Sequence, residues 1–191
     1  MSSIQGETRA DPAYSEKKSM FSRDPLAHPE PLIRRVYAYA AYRLGDGPDA
    51  EDATSDAFER ALRYRHTYDR QKGEPAAWLI GIARRSVDQI LADRVPLAEP
   101  ADVAAPGDLE EQTVARLELA GALASLSDQD RELVALRYGA DLSARQIAEL
   151  LEARTNTIEV ALHRALERLR REIAREQSDR PSAAAADGVR V

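Results

Sequence analysis

Three short helical segments follow one another between residues 126 and 171, and this succession constrains the fold more than any other stretch. The first ends at Gly139, and the second spans residues 143–151, beginning at a Ser that is a favourable N-cap residue. After a polar break at residues 152–156, the third segment has five apolar residues on one helical face: Ile158, Leu162, Ala165, Leu166 and Leu169. Two short helices joined by a few residues, the second one longer, are typical of a helix-turn-helix.

The outer face of the third segment is basic. Residues 154–171 contain five Arg against two Glu, with His163 counted as neutral, which gives a local charge of 5 − 2 = +3. A helix with one apolar and one cationic face can pack on a core and lie in a groove of DNA at the same time. The pattern therefore predicts a DNA-reading module. The net charge of −6 does not contradict it, because local potential governs binding more than net charge does.

Composition limits the other functions that the chain can have. A length of 191 residues allows one or two domains, and 31% charged with 5% aromatic residues suits a helical protein. Because the chain has no Cys and only three scattered His, we expect no disulfide, no metal site and no other cofactor. No apolar run approaches the ~20 residues that cross a bilayer, and the N-terminus lacks a signal-peptide core. We therefore expect a cytoplasmic protein without membrane insertion.

An acidic helix is predicted near the N-terminal end of the periodic sequence. Apolar residues recur at the helical period from Pro31, and a break at residues 45–48 separates that helix from the acidic one at residues 49–64. The helix dipole accounts for the acids of the first turn, but not for Asp56 and Glu59, which lie beyond it. An acidic face there would suit a basic partner surface. A catalytic carboxylate pair or a divalent metal site is disfavoured, because no His or Gly-rich ligand loop lies nearby.

The charge changes sign at the end of the acidic helix. Five cations and three rings alternate in this stretch: Arg60, Arg63, Tyr64, Arg65, His66, Tyr68, Arg70 and Lys72. Cations that follow phosphates and rings that stack on unpaired bases fit single-stranded nucleic acid. A solvated basic helix end whose tyrosines pack inward is the alternative that the residues alone leave open.

A further helix is predicted at residues 76–93, with Trp78 on its apolar face and Arg84, Arg85 and Arg94 turned away from it. The stretch after it has three Pro and five acids but no base, which is typical of a linker. We therefore expect an all-α chain of two small helical domains joined by a flexible acidic linker, the second containing the helix-turn-helix. The predicted divisions are a flexible extension at 1–30, a first domain at 31–94, the linker at 95–112, a second domain at 113–173 and a flexible tail at 174–191.

Two blocks of this sequence resemble the two conserved domains of bacterial sigma-70 family factors of the extracytoplasmic-function (ECF) group. The first is AEDATSDAFERAL followed by YDRQKGEPAAWLIGIARRSVD, within residues 50–88. The second is LSDQDRELVALRYGADLSARQIAELL followed by TIEVALHRALERLR, within residues 126–170. Their order and the linker match as well, so the resemblance covers residues 31–171. It implies a specificity subunit, not an enzyme, that lets core RNA polymerase find and open chosen promoters.

The resemblance also implies roles for individual residues. In the family, the acidic helix docks on the coiled-coil clamp of the polymerase β′ subunit, which assigns core binding to Asp52, Asp56, Phe58 and Arg60. The following loop and helix capture and melt the −10 element, which assigns that contact to Tyr64, Tyr68, Lys72, Arg84, Arg85 and Arg94. The last helix reads the −35 element, which assigns base contacts to Arg154, Thr155, Asn156, Glu159, Val160, His163 and Arg164, and a phosphate contact to Arg168. The other implied partners are the β flap, promoter DNA and an anti-sigma factor.

The sequence departs from the family pattern at three places. Glu159-Val160-Ala161 stands where a basic, a small polar and another basic residue are usual. Residues 90–94 lack the run of Arg that often ends the −10 helix, and Glu152 stands where the turn often has Gly. Because Glu cannot bind guanine bidentately as Arg does, we expect a −35 element that is unusual or weakly read.

Two alternative functions follow from the same residues. A stand-alone helix-turn-helix regulator needs neither the acidic helix nor the basic aromatic loop, so both segments argue against it. A sigma-like protein held mainly by an anti-sigma partner is compatible with the unusual residues 159–161. Promoter-dependent transcription distinguishes all three readings.

Overall fold

A computed structural model describes residues 24–94 and 110–179 of the chain, and these ranges contain helices and no strands. The α-helices are α1 Pro29–Leu44, α2 Pro48–Tyr64, α3 Pro75–Asp93, α4 Glu110–Ser125, α5 Asp128–Val134, α6 Ala144–Leu150 and α7 Thr155–Asp179. The all-α fold class is therefore confirmed. Most of the predicted extension, most of the predicted linker and the end of the predicted tail lie outside the described residues.

The first domain is a three-helix bundle of α1, α2 and α3. The predicted break between α1 and α2 is confirmed, and it is made by Gly45 and Gly47, whose φ angles of 92° and 137° favour glycine. Pro48 then opens α2 in the first turn, where a missing N–H costs nothing. The buried face of α2 consists of small residues at helical spacing: Ala50, Ala53, Ala57 and Ala61. Because these side chains are small, the backbone of α2 can lie close to its neighbours.

The second domain comprises α4 to α7 and contains the helix-turn-helix. Ser143 caps α6 as predicted, since its hydroxyl accepts from the backbone N–H of Gln146 at 3.3 Å. The Gln146 side chain returns a bond to the backbone N–H of Ser143 at 2.8 Å, which completes a capping box. On α7, Ile158, Leu162 and Leu169 of the predicted apolar face are buried. The periodicity of the sequence thus identified the buried side of α7 correctly.

The ends of α7 differ from the prediction. The helix begins at Thr155, so the polar break ends one residue before it, and Thr155 and Asn156 lie in the first turn. At its other end the helix continues to Asp179, past the predicted domain end at residue 173. Ile173 still packs against the core of the second domain, and the helix extends beyond that residue.

The first residue of the turn between α6 and α7, Glu152, has a backbone conformation that favours glycine. Glu152 has a φ angle of 53°, which is the left-handed region that a side chain makes unfavourable. The sequence therefore carries a strained residue at a position that glycine would occupy without strain.

Replacing Glu152 by Gly is expected to raise the free energy of unfolding by about 0.5 kcal/mol. The relief of left-handed strain is about 1–2 kcal/mol, and the greater entropy of Gly in the unfolded chain offsets part of it. Urea denaturation of the full chain measures the difference. Glu149→Gly is the matched control, because this residue is helical and the same change should cost about 1 kcal/mol. If both variants lost the same free energy of unfolding, left-handed strain at Glu152 would be contradicted.

The two domains contact each other along α1. One hydrophobic cluster includes buried residues of both, among them Val36 and Tyr39 of the first domain and Leu136 and Ile147 of the second. Gly139 lies against the backbone of α1, so closely that an added Cβ would be 2.9 Å from the carbonyl carbon and oxygen of Ala38. In the described part of the chain, no helix is long and apolar enough to span a bilayer.

Candidate nucleic-acid interface

The acidic face of α2 has two carboxylates in different environments. Asp52 is exposed, and its side chain makes no hydrogen bond or ion pair with the described residues. Asp56 accepts a hydrogen bond from the Ser86 hydroxyl at 2.6 Å and pairs with Nε of Arg60 at 2.8 Å. Burial alone would raise the pKa of Asp56, but these two hydrogen bonds and the neighbouring positive charges outweigh it and lower the pKa. Asp56 therefore joins α2 to α3, whereas Asp52 is free.

The other two predicted core-binding residues also contribute to the first domain. Phe58 is partly buried against the hydrophobic cluster. Arg60, besides its ion pair with Asp56, donates to the side-chain oxygen of Gln89 on α3 at 3.2 Å. An apolar side chain that the sequence analysis did not single out, Leu62, is 58% exposed on the same helix. The exposed surface of α2 thus combines a free carboxylate with an apolar side chain.

The loop between α2 and α3 is organised by Tyr68. Its ring meets that of Trp78 edge to face at 5.6 Å, and its hydroxyl donates to the carbonyl of Gly73 at 3.0 Å. Burial raises the pKa of Tyr68, so the hydroxyl remains a donor. Of the two tyrosines predicted to contact the −10 element, Tyr68 is partly buried and packs against Trp78, while Tyr64 is 53% exposed.

An open groove lies between this loop, α3 and the second domain. It is lined by Tyr64, Thr67, Trp78, Arg84, Arg85 and Leu150. Leu150 belongs to α6, and a Cβ added at Gly81 of α3 would lie 3.3 Å from its Cδ1 atom. The first helix of the helix-turn-helix therefore covers part of the α3 surface that was predicted to contact the −10 element.

Arg84 does not point away from the core, as the sequence pattern predicted. It is partly buried, and its Nε donates to Oε1 of Glu132, in the second domain, at 2.7 Å. Burial opposes the charge of Arg84, but the hydrogen bond and charge of Glu132 outweigh it and raise the pKa. The prediction failed because the carboxylate comes from a segment distant in sequence.

Arg94 is likewise engaged within the protein. Its Nη2 donates to the carbonyl of Leu44 at 2.8 Å, and it forms an ion pair with Asp49. These contacts tie the end of α3 to the end of α1 and the start of α2. By contrast, the side chains of Lys72 and Arg85 are exposed and unpaired within the described residues.

The outer face of α7 is open to solvent. Its exposed residues are Arg154, just before the helix, and Thr155, Asn156, Glu159, Val160, His163 and Arg164. Among them, His163 approaches Glu167 at 3.4 Å, whereas the side chains of Glu159 and Arg164 make no bond with the described residues. The apolar face of α7 packs against the core on the opposite side of the helix. The polar face can therefore enter a groove of DNA without any change in the fold.

Arg168 lies at the edge of that face and is held by the second domain itself. Its Nη1 lies 2.7 and 2.8 Å from the two carboxylate oxygens of Asp130, on α5. Asp130 also accepts from the hydroxyl of Ser127 at 2.9 Å. Arg168, which was predicted to contact a phosphate, therefore also ties α7 to α5 within the protein. Within the described residues, no cluster of three or more His, Cys, Asp or Glu is arranged to hold a metal.

The comparisons with known proteins identify both helical domains. Residues 30–94 match sigma-70 region 2, and residues 116–169 match sigma-70 region 4. The chain is 32% identical to the ECF RNA polymerase sigma factor SigK of Mycobacterium ulcerans (strain Agy99), across 71% of this chain and 78% of SigK. The chain is an ECF sigma factor of the sigma-70 family. The sigma factor is also 33% identical to the ECF RNA polymerase sigma factor BldN of Streptomyces coelicolor, across 71% of its own length and 55% of BldN.

Two solved structures share the fold of this sigma factor. The sigma factor RpoE in complex with the anti-sigma factor NepR, from Bartonella quintana, has a TM-score of 0.59 at 20% identity, covering 89% of this chain and 100% of RpoE. CnrH in complex with the cytosolic domain of CnrY has a TM-score of 0.56 at 18% identity, covering 88% and 95%. At these identities the likeness shows the fold alone.

Among the charged residues that join regions 2 and 4 of the sigma factor, sequence reasoning missed Arg43 and Glu132. Arg43 lies on the buried stripe of α1, at helical spacing from Val36 and Ala40, and its side chain is only 2% exposed. Glu132 lies beside the buried Leu133 on α5, and its own side chain is 12% exposed. A charged residue at an apolar position was a signal in both cases, because such a charge is rarely buried without a partner.

Proposed function

We propose that this sigma factor is an initiation factor and not an enzyme, which binds core RNA polymerase through α2, opens the −10 element with α3 and the loop before it, and reads the −35 element with α7. One observation carries the proposal. One chain carries a free carboxylate on α2, exposed cations and a ring beside α3, and an open polar face on the helix-turn-helix. We also propose that the protein acts in the cytoplasm.

The contact with polymerase is proposed to centre on Asp52. Its free carboxylate is available to a basic surface, such as the β′ clamp, while Leu62 supplies exposed apolar area further along the same helix. Asp56, Phe58 and Arg60 are proposed to shape and position this face, since each also has a partner within region 2. Region 4 is proposed to contact the β flap.

Melting is proposed to use binding energy for unpaired bases. Tyr64 offers an exposed ring for stacking, and Lys72 and Arg85 offer exposed cations for the backbone of a single strand. Base–aromatic stacking is worth about 1–3 kcal/mol per base, which is comparable to the cost of unstacking a base. Tyr68 is proposed to act by holding the loop, and Arg94 by holding the end of α3.

Reading of the −35 element is proposed to depend on two uncommon residues. The carboxylate of Glu159 can accept a hydrogen bond from the amine of cytosine, and Val160, 44% exposed, can contact the methyl group of thymine. Arg154, Thr155, Asn156, His163 and Arg164 surround them on the same face. The −35 element is therefore expected to differ from those read by an Arg at residue 159.

Run-off transcription tests the proposed function directly. Purified core polymerase and the sigma factor are mixed with a library of genomic fragments, and the transcript starts are mapped. Discrete starts that share upstream elements are the expected result. Core binding without any starts would favour a sigma-like protein held mainly by an anti-sigma factor, and no core binding would favour a stand-alone helix-turn-helix regulator.

An anti-sigma factor is a further proposed partner. Two solved structures that share this fold are of complexes, one with the anti-sigma factor NepR and one with the cytosolic domain of CnrY. Addition of a candidate partner to the run-off reaction is expected to suppress the starts. An excess of the sigma factor over the partner should restore transcription from the mapped start sites.

Arg164→Ala and Arg168→Ala are expected to have different effects. Arg164 is exposed and unpaired within the described residues, so its loss should weaken binding to −35 duplex roughly tenfold, the scale of one DNA contact, and leave stability unchanged. Arg168 pairs with the mostly buried Asp130, so its loss should lower the free energy of unfolding by about 1–2 kcal/mol. Fluorescence anisotropy and urea denaturation measure the two quantities. If both variants lost the same amount of DNA affinity and of stability, the different roles of Arg164 and Arg168 would be contradicted.

A further inference from the structure

Glu159 and Val160 are neighbours on the polar face of α7. Both side chains are exposed, and 44% of the Val160 surface is accessible to solvent. One turn before and one turn after Val160 lie Asn156 and Arg164, which are exposed and polar. Val160 is therefore an isolated apolar side chain on a polar surface. Such a side chain is matched in size to a single methyl group rather than to an extended apolar surface.

The carboxylate of Glu159 is free to accept a hydrogen bond from DNA. Its side chain makes no hydrogen bond or ion pair with the residues that the structure describes. His163, one turn further along, pairs instead with Glu167, with 3.4 Å between Nε2 and Oε1. A carboxylate that approaches the negative phosphates without finding a donor weakens binding. The affinity of this face for DNA therefore depends on the group that the base beside Glu159 presents.

The pyrimidines differ in the groups that they present to these two side chains in the major groove. Cytosine presents an N4–H donor, and thymine presents the O4 acceptor beside its C5 methyl group. Thymine would therefore suit Val160 but place an acceptor against the carboxylate of Glu159. Unmodified cytosine would suit Glu159 but leave Val160 without an apolar contact. 5-Methylcytosine presents the N4–H donor and a C5 methyl group on neighbouring ring atoms, so it offers a partner to both residues.

The spacing of the two residues favours contact with one base rather than two. Consecutive residues of an α-helix are separated by about 1.5 Å along its axis, whereas successive bases of a strand are separated by about 3.4 Å. Glu159 and Val160 point about 100° apart, so a base that lies between the two directions can meet both side chains. A cytosine next to a thymine would offer the same groups on two bases, and this alternative can be tested.

We propose that Glu159 and Val160 together recognise 5-methylcytosine in the −35 element, so that methylation of one cytosine strengthens promoter binding by the holoenzyme. This inference rests on the proposed function of α7. Glu159 accepts from the N4–H that base pairing leaves unused, and Val160 covers the C5 methyl group. An unmodified cytosine keeps the hydrogen bond and lacks only the apolar contact. The holoenzyme therefore binds the promoter in both states, and more tightly in the methylated one.

Modified bases separate the two contacts. Promoter duplexes are identical except at one cytosine of the mapped −35 element, which is cytosine, 5-methylcytosine or N4-methylcytosine. N4-methylcytosine uses its single N4–H in the base pair, so it has no donor left for Glu159. A further pair of duplexes carries thymine or uracil at the neighbouring position, which tests whether Val160 covers the methyl group of a separate base. A duplex with 5-methylcytosine outside the −35 and −10 elements is the control for methylation itself.

Affinities are measured by competition anisotropy with the holoenzyme, assembled from core polymerase and the full chain. Val160→Ala removes the apolar contact, and Glu159→Ala removes the acceptor. Both variants place a good helix former at an exposed position, so the fold is retained. Ile33→Ala is the matched control, because Ile33 has the same 44% exposure on α1. Each result is the ratio of two affinities of one protein, so a change in stability or in general DNA affinity cancels.

The wild-type holoenzyme is expected to bind the 5-methylcytosine duplex about fourfold more tightly than the cytosine duplex, which is the effect of covering one methyl group. It should bind the N4-methylcytosine duplex about tenfold less tightly than the cytosine duplex, because a hydrogen bond to a charged acceptor is lost. Val160→Ala should abolish only the first preference and Glu159→Ala only the second. Ile33→Ala should retain both.

Equal affinity for cytosine and 5-methylcytosine at every cytosine of the element, with transcription from the same promoter intact, would overturn the inference and leave the proposed function standing. A preference for thymine over uracil without one for 5-methylcytosine over cytosine would assign Val160 to thymine, and it would overturn the inference as well. Failure of the holoenzyme to start transcription from any fragment would overturn the proposed function, and the inference with it.

Discussion

Reversal of the charge at Asp52, by Asp52→Lys, is expected to weaken binding of core RNA polymerase about 30-fold or more and to leave thermal stability unchanged. Loss of one partner of an interfacial charge pair costs about 2–5 kcal/mol, and each 1.4 kcal/mol is a factor of ten in affinity. Stability should not change because the side chain is exposed and has no partner within the described residues. Surface plasmon resonance with core polymerase and thermal melting by circular dichroism measure the two quantities.

Asp56→Lys provides the internal comparison for this experiment. It should weaken core binding as well, but it should also lower the melting temperature, because Asp56 bonds to Ser86 and Arg60. Glu30→Lys, an exposed reversal on α1, is the control for a general effect of charge. If Asp52→Lys binds core polymerase with the affinity of the wild type, the acidic face of α2 is not part of the polymerase contact.

Glu159→Arg is expected to change the −35 sequence that the sigma factor selects. An Arg at this exposed place can bind guanine bidentately, whereas Glu accepts from cytosine, and such a contact discriminates by about 1–3 kcal/mol. The preference at one base pair should therefore shift by roughly 5-fold to 150-fold, with the other positions little changed. Selection and sequencing of duplexes with a randomised −35 element measures the shift.

Glu167→Arg is the matched control for that shift. It makes the same change of charge two turns further along α7, so it should raise affinity for all duplexes and leave base preference as it is. An identical sequence preference in Glu159→Arg and the wild type would show that Glu159 does not contact a base. Weakened binding with no preferred sequence in either protein would show that α7 contributes little to promoter choice.

Local features of the fold could be predicted from the sequence because each depends on neighbours along the chain. The apolar face of α7 follows from the spacing of Ile158, Leu162 and Leu169, and the start of α6 follows from Ser143. The break between α1 and α2 follows from Gly45 and from Gly47. In each case a period or a backbone preference within a few residues decides the structure.

Features that join distant segments could not be predicted in this way. Arg84 was expected to face solvent, because nothing near it in the sequence reveals that Glu132 lies 48 positions further on. The inward packing of Tyr68 depends on Trp78 across a loop, and the tie between Arg168 and Asp130 depends on how α7 crosses α5. The side chains whose contacts within the protein were not predicted are thus those whose partners are fixed by packing rather than by spacing.

The alanine face of α2 has a mechanical consequence. Ala50, Ala53, Ala57 and Ala61 bring the α2 backbone close to the rest of the bundle, and the bond from Ser86 to Asp56 fastens it to α3. Short side chains have no torsions that could absorb a displacement, so α2 and α3 must translate together. A force applied to one of these two helices would therefore be passed to the other almost undiminished, and the pair would move as one stiff body.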